Sequence, residues 1–266
     1  MHLVLTGATG LVGSAVLDAM LRTKSITKIS ILSRRPVAMA DNAKDPRVNV
    51  IIHPDFERYD ASVLEQLRGA SGCVWALGIS QTQASSSEQY IKITKDYTLA
   101  AARAFVDIPR SEDKEEDGKR GESSPFRFVY VSGEGATQNP GRFSAIFARV
   151  KGETEAKLAD MTTKGELAGR LQADSARPGA VDPAGHEAIK PYAPEPSWQI
   201  KLLGATLLPP IRILYSQAHA PTPMLGDFLT RMAMGEMEGK MEGKGASKLG
   251  SSWIVGNVGI RRMMGL

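Results

Sequence analysis

The chain has 266 residues, enough for one large domain or a domain with a small cap, and its 42% apolar and 23% charged residues are ordinary for a folded soluble protein. A formal charge of +4, with lysines and arginines interleaved with acids, argues against nucleic acid as a partner, because that needs a concentrated basic face. The single cysteine, Cys73 in the apolar run GCVWALG, excludes a disulfide framework and fits a buried, inert thiol in a reducing, cytoplasmic setting.

HLVLT (2–6) predicts a first strand, with no basic, cleavable leader ahead of it. In LVGSAVLDAML, Val12, Ala15, Val16, Ala19 and Met20 fall at helical spacing and predict the first helix. KISILS (28–33) and VNVIIH (48–53) predict the second and third strands, ASVLEQLRG a short helix, and GCVWALG (72–78) the fourth strand. A helix is expected over 87–106, a fifth strand over 126–132, a helix over 147–161 and a sixth strand over 171–178. RSEDKEEDGKRGESS (110–124) has no apolar residue and predicts a solvated surface loop, as does the Gly/Met/Lys/Glu stretch 235–252. IKLLGATLLPPIRILY (200–215) is interrupted by Lys201, Pro209, Pro210 and Arg212. It predicts a buried helix ending at the prolines, with a membrane-surface contact as the alternative, and is too short and interrupted for a membrane span. The alternation of strands and helices predicts an α/β architecture: a Rossmann-type, doubly wound parallel sheet over 1–182, followed by a small substrate-covering region over 183–266.

TGATGLVG places Gly7, Gly10 and Gly13 between the first strand and the first helix, the context in which a glycine pattern acquires meaning. Gly7 permits the sharp turn, Gly10 lets the backbone approach a pyrophosphate, and Gly13 lets the helix pack on the sheet. The N–H groups of this turn and helix start, which includes Thr9, Leu11 and Val12, then receive the anion. This is the pattern of a dinucleotide site. At the end of the second strand an NAD site usually carries an acid for the ribose hydroxyls. Here Ser33, Arg34 and Arg35 stand in its place, and two arginines suit a 2′-phosphate, so NADP(H) is the expected cofactor.

These features resemble the short-chain dehydrogenase/reductase superfamily in its extended or atypical branches, over roughly residues 1–182. The resemblance implies that Asp55 in HPDF meets the adenine amine and that Leu77 and Gly78 in WALG lie under the cofactor. It also implies that Pro178 and Gly179 in ARPG flank the nicotinamide. VKGETEAKL (150–158) is similar to a helix of Tat-interacting oxidoreductase-like proteins and their fungal relatives, including aflatoxin-type polyketide pathway oxidoreductases. The family's Tyr-x-x-x-Lys reads Phe147-Ala-Arg-Val-Lys151, which keeps the ribose-binding lysine and lacks the phenolic acid. Ser132 and Lys151 remain as catalytic candidates, although a second family serine would fall at Gly133. Glu134, His186 and Tyr192 are candidate substitutes for the missing acid, and no metal is expected. The implied activity is NADP(H)-dependent oxidoreduction of a small metabolite, polyketide-like aromatics among them, with the oligomeric state open. Two alternatives stand beside it: an NADP-sensing regulator resembling NmrA-like proteins, and a non-redox isomerase or ring-opening enzyme.

Overall fold

The computed structural model describes residues 1–81, 83–110, 124–165, 167–195 and 215–266, together with residues 206 and 208. The surface loop expected at 110–124 and the helix expected at 200–215 lie almost wholly outside the described residues.

The described residues form the strands β1 (His2–Thr6), β2 (Lys28–Ser33), β3 (Val48–Ile52), β4 (Ala70–Trp75), β5 (Phe126–Val131), β6 (Leu171–Arg177), β7 (Ala180–Asp182), β8 (His219–Pro221), β9 (Ala246–Leu249) and β10 (Ser252–Gly256). Their helical partners are α1 (Leu11–Arg22), α2 (Ala38–Ala43), α3 (Ala61–Gln66), α4 (Ser87–Ile91), α5 (Tyr97–Phe105), α6 (Ile146–Thr163), α7 (Thr222–Met234) and α8 (Asn257–Met263). The main sheet runs β3-β2-β1-β4-β5-β6-β10-β9, with every neighbouring pair parallel except β10 and β9. The winding direction reverses between β1 and β4, the place where doubly wound sheets open a crevice at the strands' C-terminal ends.

Alternation along β1 explains why its sequence is apolar throughout. Leu3 and Leu5 join the core that holds Val16 and Met20 of α1 and Phe228 of α7. Val4 points to the opposite core, with Trp75, Phe105, Phe128 and Leu158. Helix α7 lies against α1 at backbone distance: a Cβ on Gly226 would come within 2.3 Å of the Ala15 carbonyl oxygen.

The structure corrects several sequence expectations. Among the described residues, those from 219 to 263 join the main fold instead of forming a separate cover. β10 pairs with β6, β9 extends the sheet, and α7 fills one face. The physical reason is that Ile254 and Val255 shield what would otherwise be a bare edge on β6. The fourth strand ends at Trp75, because the Leu77 N–H turns to the Thr6 hydroxyl at 3.2 Å instead of continuing the ladder. The helix expected over 87–106 is divided by a π-helical turn at Lys92–Asp96.

Candidate functional site

The three glycines of the first turn do different work. Gly7 sits at φ +71°, and a Cβ there would strike the Ala76 carbonyl oxygen at 2.3 Å. A Cβ on Gly13 would lie 2.0 Å from the Gly7 carbonyl oxygen, so helix and turn touch at their backbones. At Gly10 the only near atom is that same oxygen, at 3.3 Å. Gly7 and Gly13 therefore hold the fold, while Gly10 leaves an open cradle. Gly10 is also the N-cap of α1, with no side chain capping it and no acid in the first turn. The N–H groups of Leu11, Val12 and Gly13 consequently have no intrahelical acceptor and carry the positive end of the helix dipole. An anionic pyrophosphate fits that combination.

Beside the turn, Arg34 and Arg35 extend from β2 into solvent. Neither guanidinium has a hydrogen-bond or ion-pair partner among the described residues, and only the Arg35 backbone N–H reaches Ser33 Oγ, at 3.4 Å. Arg47 shows the contrast. It spends its donors on Asp45 and on the carbonyls of Leu21, Thr23 and Ile26, stapling the end of α1. Arg34 and Arg35 have no such structural duty. Asp55 is exposed after β3, and its Oδ1 accepts the Glu57 N–H at 3.0 Å. The following Phe56 is wholly buried edge-on to Trp75 and His53, which anchors the loop that presents Asp55. A Cβ on Gly78 would meet nothing within 4 Å, so the floor beyond β4 is open.

Lys151 comes from α6 and reaches the loop after β5. Its Nζ donates to the Ser132 carbonyl oxygen at 2.6 Å and lies 3.5 Å from that of Val131. Burial lowers its pKa from 10.5 to about 8, partly opposed by the charge of Glu155 one turn on. The Ser132 hydroxyl is buried without a partner, so the expected hydrogen-bond donor presents its carbonyl to Lys151 and its side chain to the interior. Gly133 stands at the lysine instead: a Cβ there would be 3.6 Å from Nζ. Phe147 lies over Gly135, whose Cβ position is 3.6 Å from the ring Cζ. Lysine is thus the one ionisable side chain brought to this loop from the family's expected catalytic set.

The proposed substitutes for the missing acid are engaged elsewhere. Both ring nitrogens of buried His186 are taken, by Thr222 Oγ1 at 2.9 Å and Asp18 Oδ2 at 3.2 Å, tying the 183–189 loop to α1 and α7. The Tyr192 hydroxyl accepts from Asn42 of α2 at 3.0 Å. Glu134 Oε2 accepts the Asn257 N–H at 3.3 Å, at the start of α8. Pro178 and Gly179 do adjoin the Lys151 loop, since the Glu134 N–H donates to the Pro178 carbonyl at 2.9 Å.

Two constellations escaped sequence reasoning. Glu155, itself buried, accepts from Gln138 Nε2 at 2.6 Å and from both Nε and a terminal nitrogen of Arg177. The four-residue interval from Lys151 to Glu155 puts both on one helical face and was a usable signal. The second is His219, whose Nε2 lies 2.7 Å from the buried Asp182 Oδ2 across the short β7–β8 pair. No local pattern announces residues 37 apart.

Among the described residues, no helix is long and apolar enough to cross a membrane, and no group of three or more His, Cys, Asp and Glu could hold a metal. No protein-family model matches the chain. Leucinostatins biosynthesis cluster protein T of Purpureocillium lilacinum is 35% identical over 229 residues, covering 80% of this chain and 77% of that protein. Botcinic acid biosynthesis cluster B protein 16 of Botryotinia fuckeliana (strain B05.10) is 42% identical over 148 residues, 56% of this chain and 92% of that protein. An oxidoreductase of the short chain dehydrogenase/reductase family from Burkholderia thailandensis superposes with a TM-score of 0.61 at 13% identity, covering 99% of this chain and 95% of its own. Likeness at that identity establishes a shared fold.

Proposed function

The chain belongs to the family of leucinostatins biosynthesis cluster protein T, and from that kinship we propose that it is an NADP(H)-dependent oxidoreductase acting on a small organic metabolite of a fungal biosynthetic pathway. Biosynthetic-cluster proteins, rather than the Tat-interacting or aflatoxin-type lineage, are the kinship on which this reading rests. The observation that carries it is the open backbone cradle at Gly10 beside two arginines whose guanidinium groups have no partner among the described residues. The helix start would hold the pyrophosphate, Arg34 and Arg35 the 2′-phosphate, Asp55 the adenine edge and Lys151 the ribose. Leu77, Gly78, Pro178 and Gly179 would border the ring end.

When bound, the nicotinamide supplies or accepts a hydride. The chain's own contribution is orientation and charge. The Ser132 carbonyl fixes the Lys151 ammonium, and Phe147 and Gly133 leave no hydroxyl beside it. Loss of general acid–base help typically costs 10²–10⁴-fold, which favours a substrate whose reduced oxygen is stable as a phenolate until solvent protonates it, such as a quinone or phenol tautomer, or another donor in the site.

The same absence of hydroxyls supports a second reading, an NADP-sensing regulator. One experiment separates them: a metabolite screen with NADPH that follows both cofactor oxidation and substrate mass, alongside binding of NADPH and NADH to the purified protein. NADPH oxidation coupled to a new product supports the enzyme. Tight NADPH binding without turnover on any pathway extract supports the sensor, and equal affinity for NADH and NADPH overturns the arginine assignment.

A further inference from the structure

The chain's four histidines divide sharply by what their rings can still do. His2 is buried at the start of β1, held by the Arg68 carbonyl and the Ser30 hydroxyl. His53 is buried and stacked on Tyr59, and both nitrogens of His186 are engaged. His219 alone combines a partly exposed ring with one nitrogen fixed and the other, Nδ1, without a partner among the described residues. Its fixed nitrogen meets a carboxylate that is nearly inaccessible, and the second oxygen of Asp182 accepts the Ala184 N–H at 3.0 Å. A buried, doubly oriented carboxylate behind a partly exposed imidazole is an arrangement that sets the ring's direction and balances its charge when protonated.

The dyad's position gives it meaning. β7 begins directly after Pro178–Gly179, and its Ala180 is in register with His219 of β8. Gly179 is pressed against the residue before His219, since a Cβ there would lie 2.3 Å from the Ala218 carbonyl oxygen. Asn257 clasps the junction: its Oδ1 accepts the Gly179 N–H at 3.1 Å, and its Nδ2 donates to the carbonyls of Gln217 at 2.7 Å and His219 at 3.1 Å. Arg261 adds a bond to the His219 carbonyl at 3.0 Å, and Glu134 joins Asn257 to the Lys151 loop. The loop assigned to the ring end of the cofactor and the strand carrying His219 are therefore one fixed unit.

We propose that His219, oriented by Asp182, is the proton donor and acceptor of this site, in the role left empty by Phe147. The inference rests on the NADP(H) reading above. In the reductive direction the substrate's carbonyl carbon receives the hydride, its C=O π bond opens onto oxygen, and the Nδ1–H of the His219 imidazolium protonates that oxygen. The imidazole regains a proton from solvent. NADPH, the carbonyl and one proton become NADP⁺ and the alcohol; the reverse reaction uses the neutral ring as base.

The test is site-resolved carbethoxylation of the four histidines with diethyl pyrocarbonate, read by peptide mass spectrometry, on the free protein and with saturating NADPH or 2′,5′-ADP. His219 is expected to react in the free protein, to be slowed several-fold by NADPH and to be unaffected by 2′,5′-ADP, which fills only the adenosine half. NADPH that binds yet leaves His219 unprotected overturns the dyad while sparing the cofactor reading. Failure of NADPH to bind overturns both. With the substrate from the metabolite screen, His219→Gln should lower kcat about a hundredfold or more while NADPH affinity and thermal midpoint stay unchanged. Asp182→Asn, which keeps an acceptor for the ring, should lower kcat less. Undiminished turnover by His219→Gln refutes the role.

Discussion

Lys151 donates to the backbone carbonyl of Ser132 at 2.6 Å, and the burial that accompanies this contact brings its pKa down to about 8. In the unfolded chain the same ammonium titrates near 10.5, so between those values the unfolded state binds more protons than the folded one. Stability must then rise with pH across that window, because deprotonation relieves the cost of a buried charge. Denaturant midpoints followed from below pH 8 to above pH 10 should climb for the wild type relative to Lys151→Met. Parallel curves for the two proteins would refute the shift.

Gly10 and Gly13 should fail in opposite ways. Gly10→Val puts its branches into the open cradle and should abolish NADPH binding with the thermal midpoint preserved. Gly13→Ala drives a methyl to 2.0 Å from the Gly7 carbonyl oxygen, which is backbone and has no rotamer to change. Overpacking of this kind costs about 1–3 kcal/mol or more, so Gly13→Ala should appear as a lowered midpoint. An equally stable Gly13→Ala protein would mean that α1 can slide away from the turn.

Asp174 of β6 gives a third test. It is buried, its pKa is raised to about 6 by desolvation, and its Oδ1 alone accepts both Trp253 N–H at 2.7 Å and Gln172 Nε2 at 2.8 Å. Because its folded pKa lies above the unfolded 3.8, the charged form is disfavoured by folding, and the penalty is complete above pH 6. Asp174→Asn keeps one acceptor oxygen for both donors and should stabilise the protein at pH 7 by about 1–3 kcal/mol. The gain should shrink as pH falls through about 6 and the wild-type carboxyl takes up its proton. A destabilised variant at pH 7 would show that Oδ2 has a necessary role.

Phe147→Tyr asks whether the site lacks only a phenol. With Gly133 at the lysine and the Ser132 hydroxyl buried, a phenol at 147 would still lack a serine hydroxyl from the loop beside it. The restored phenol is therefore expected to leave reduction of simple ketones negligible and to leave native turnover unchanged or lower. Steady-state rates on a ketone panel with NADPH decide it. A large gain from this one substitution would count against His219 as the donor as well.

The sheet was legible because β1, β2, β4 and β5 carry apolar residues on both faces, and such runs bounded by turns have few other uses; β6, LQADSAR, is half polar and is readable mainly from its place in the alternation. The glycine turn was legible because its signal lies within seven residues, even though Gly7 also meets the Ala76 backbone beyond β4. β9 and β10 were hidden: ASKL and SWIVG are short and flanked by glycines, and it is the pairing of β10 with β6, and of β9 with β10, that makes them strands. Ser132 was misleading for a related reason. Its position after β5 is readable, but the choice between presenting its hydroxyl or its carbonyl to Lys151 depends on how the whole loop turns. His219 and Asp182 become neighbours only through the register of two three-residue strands, and composition carries no trace of that.

The contact of Gly226 with Ala15 says where time enters this molecule. Helices α1 and α7 meet at backbone distance and have no room to rock, so amide protons along α1 should exchange with deuterium only when the whole domain opens. Beyond Thr137, which α6 grips through Gly152, the stretch from Asn139 to Ser144 bonds locally, Gly141 N–H to Ser144 Oγ and Ser144 N–H to the Gly141 carbonyl, and Phe143 within it is 95% exposed. Exchange there should be fast and local. A fixed anchor beside a yielding wall separates what must stay still, the strand-to-helix turn, from what can move to meet a bound molecule.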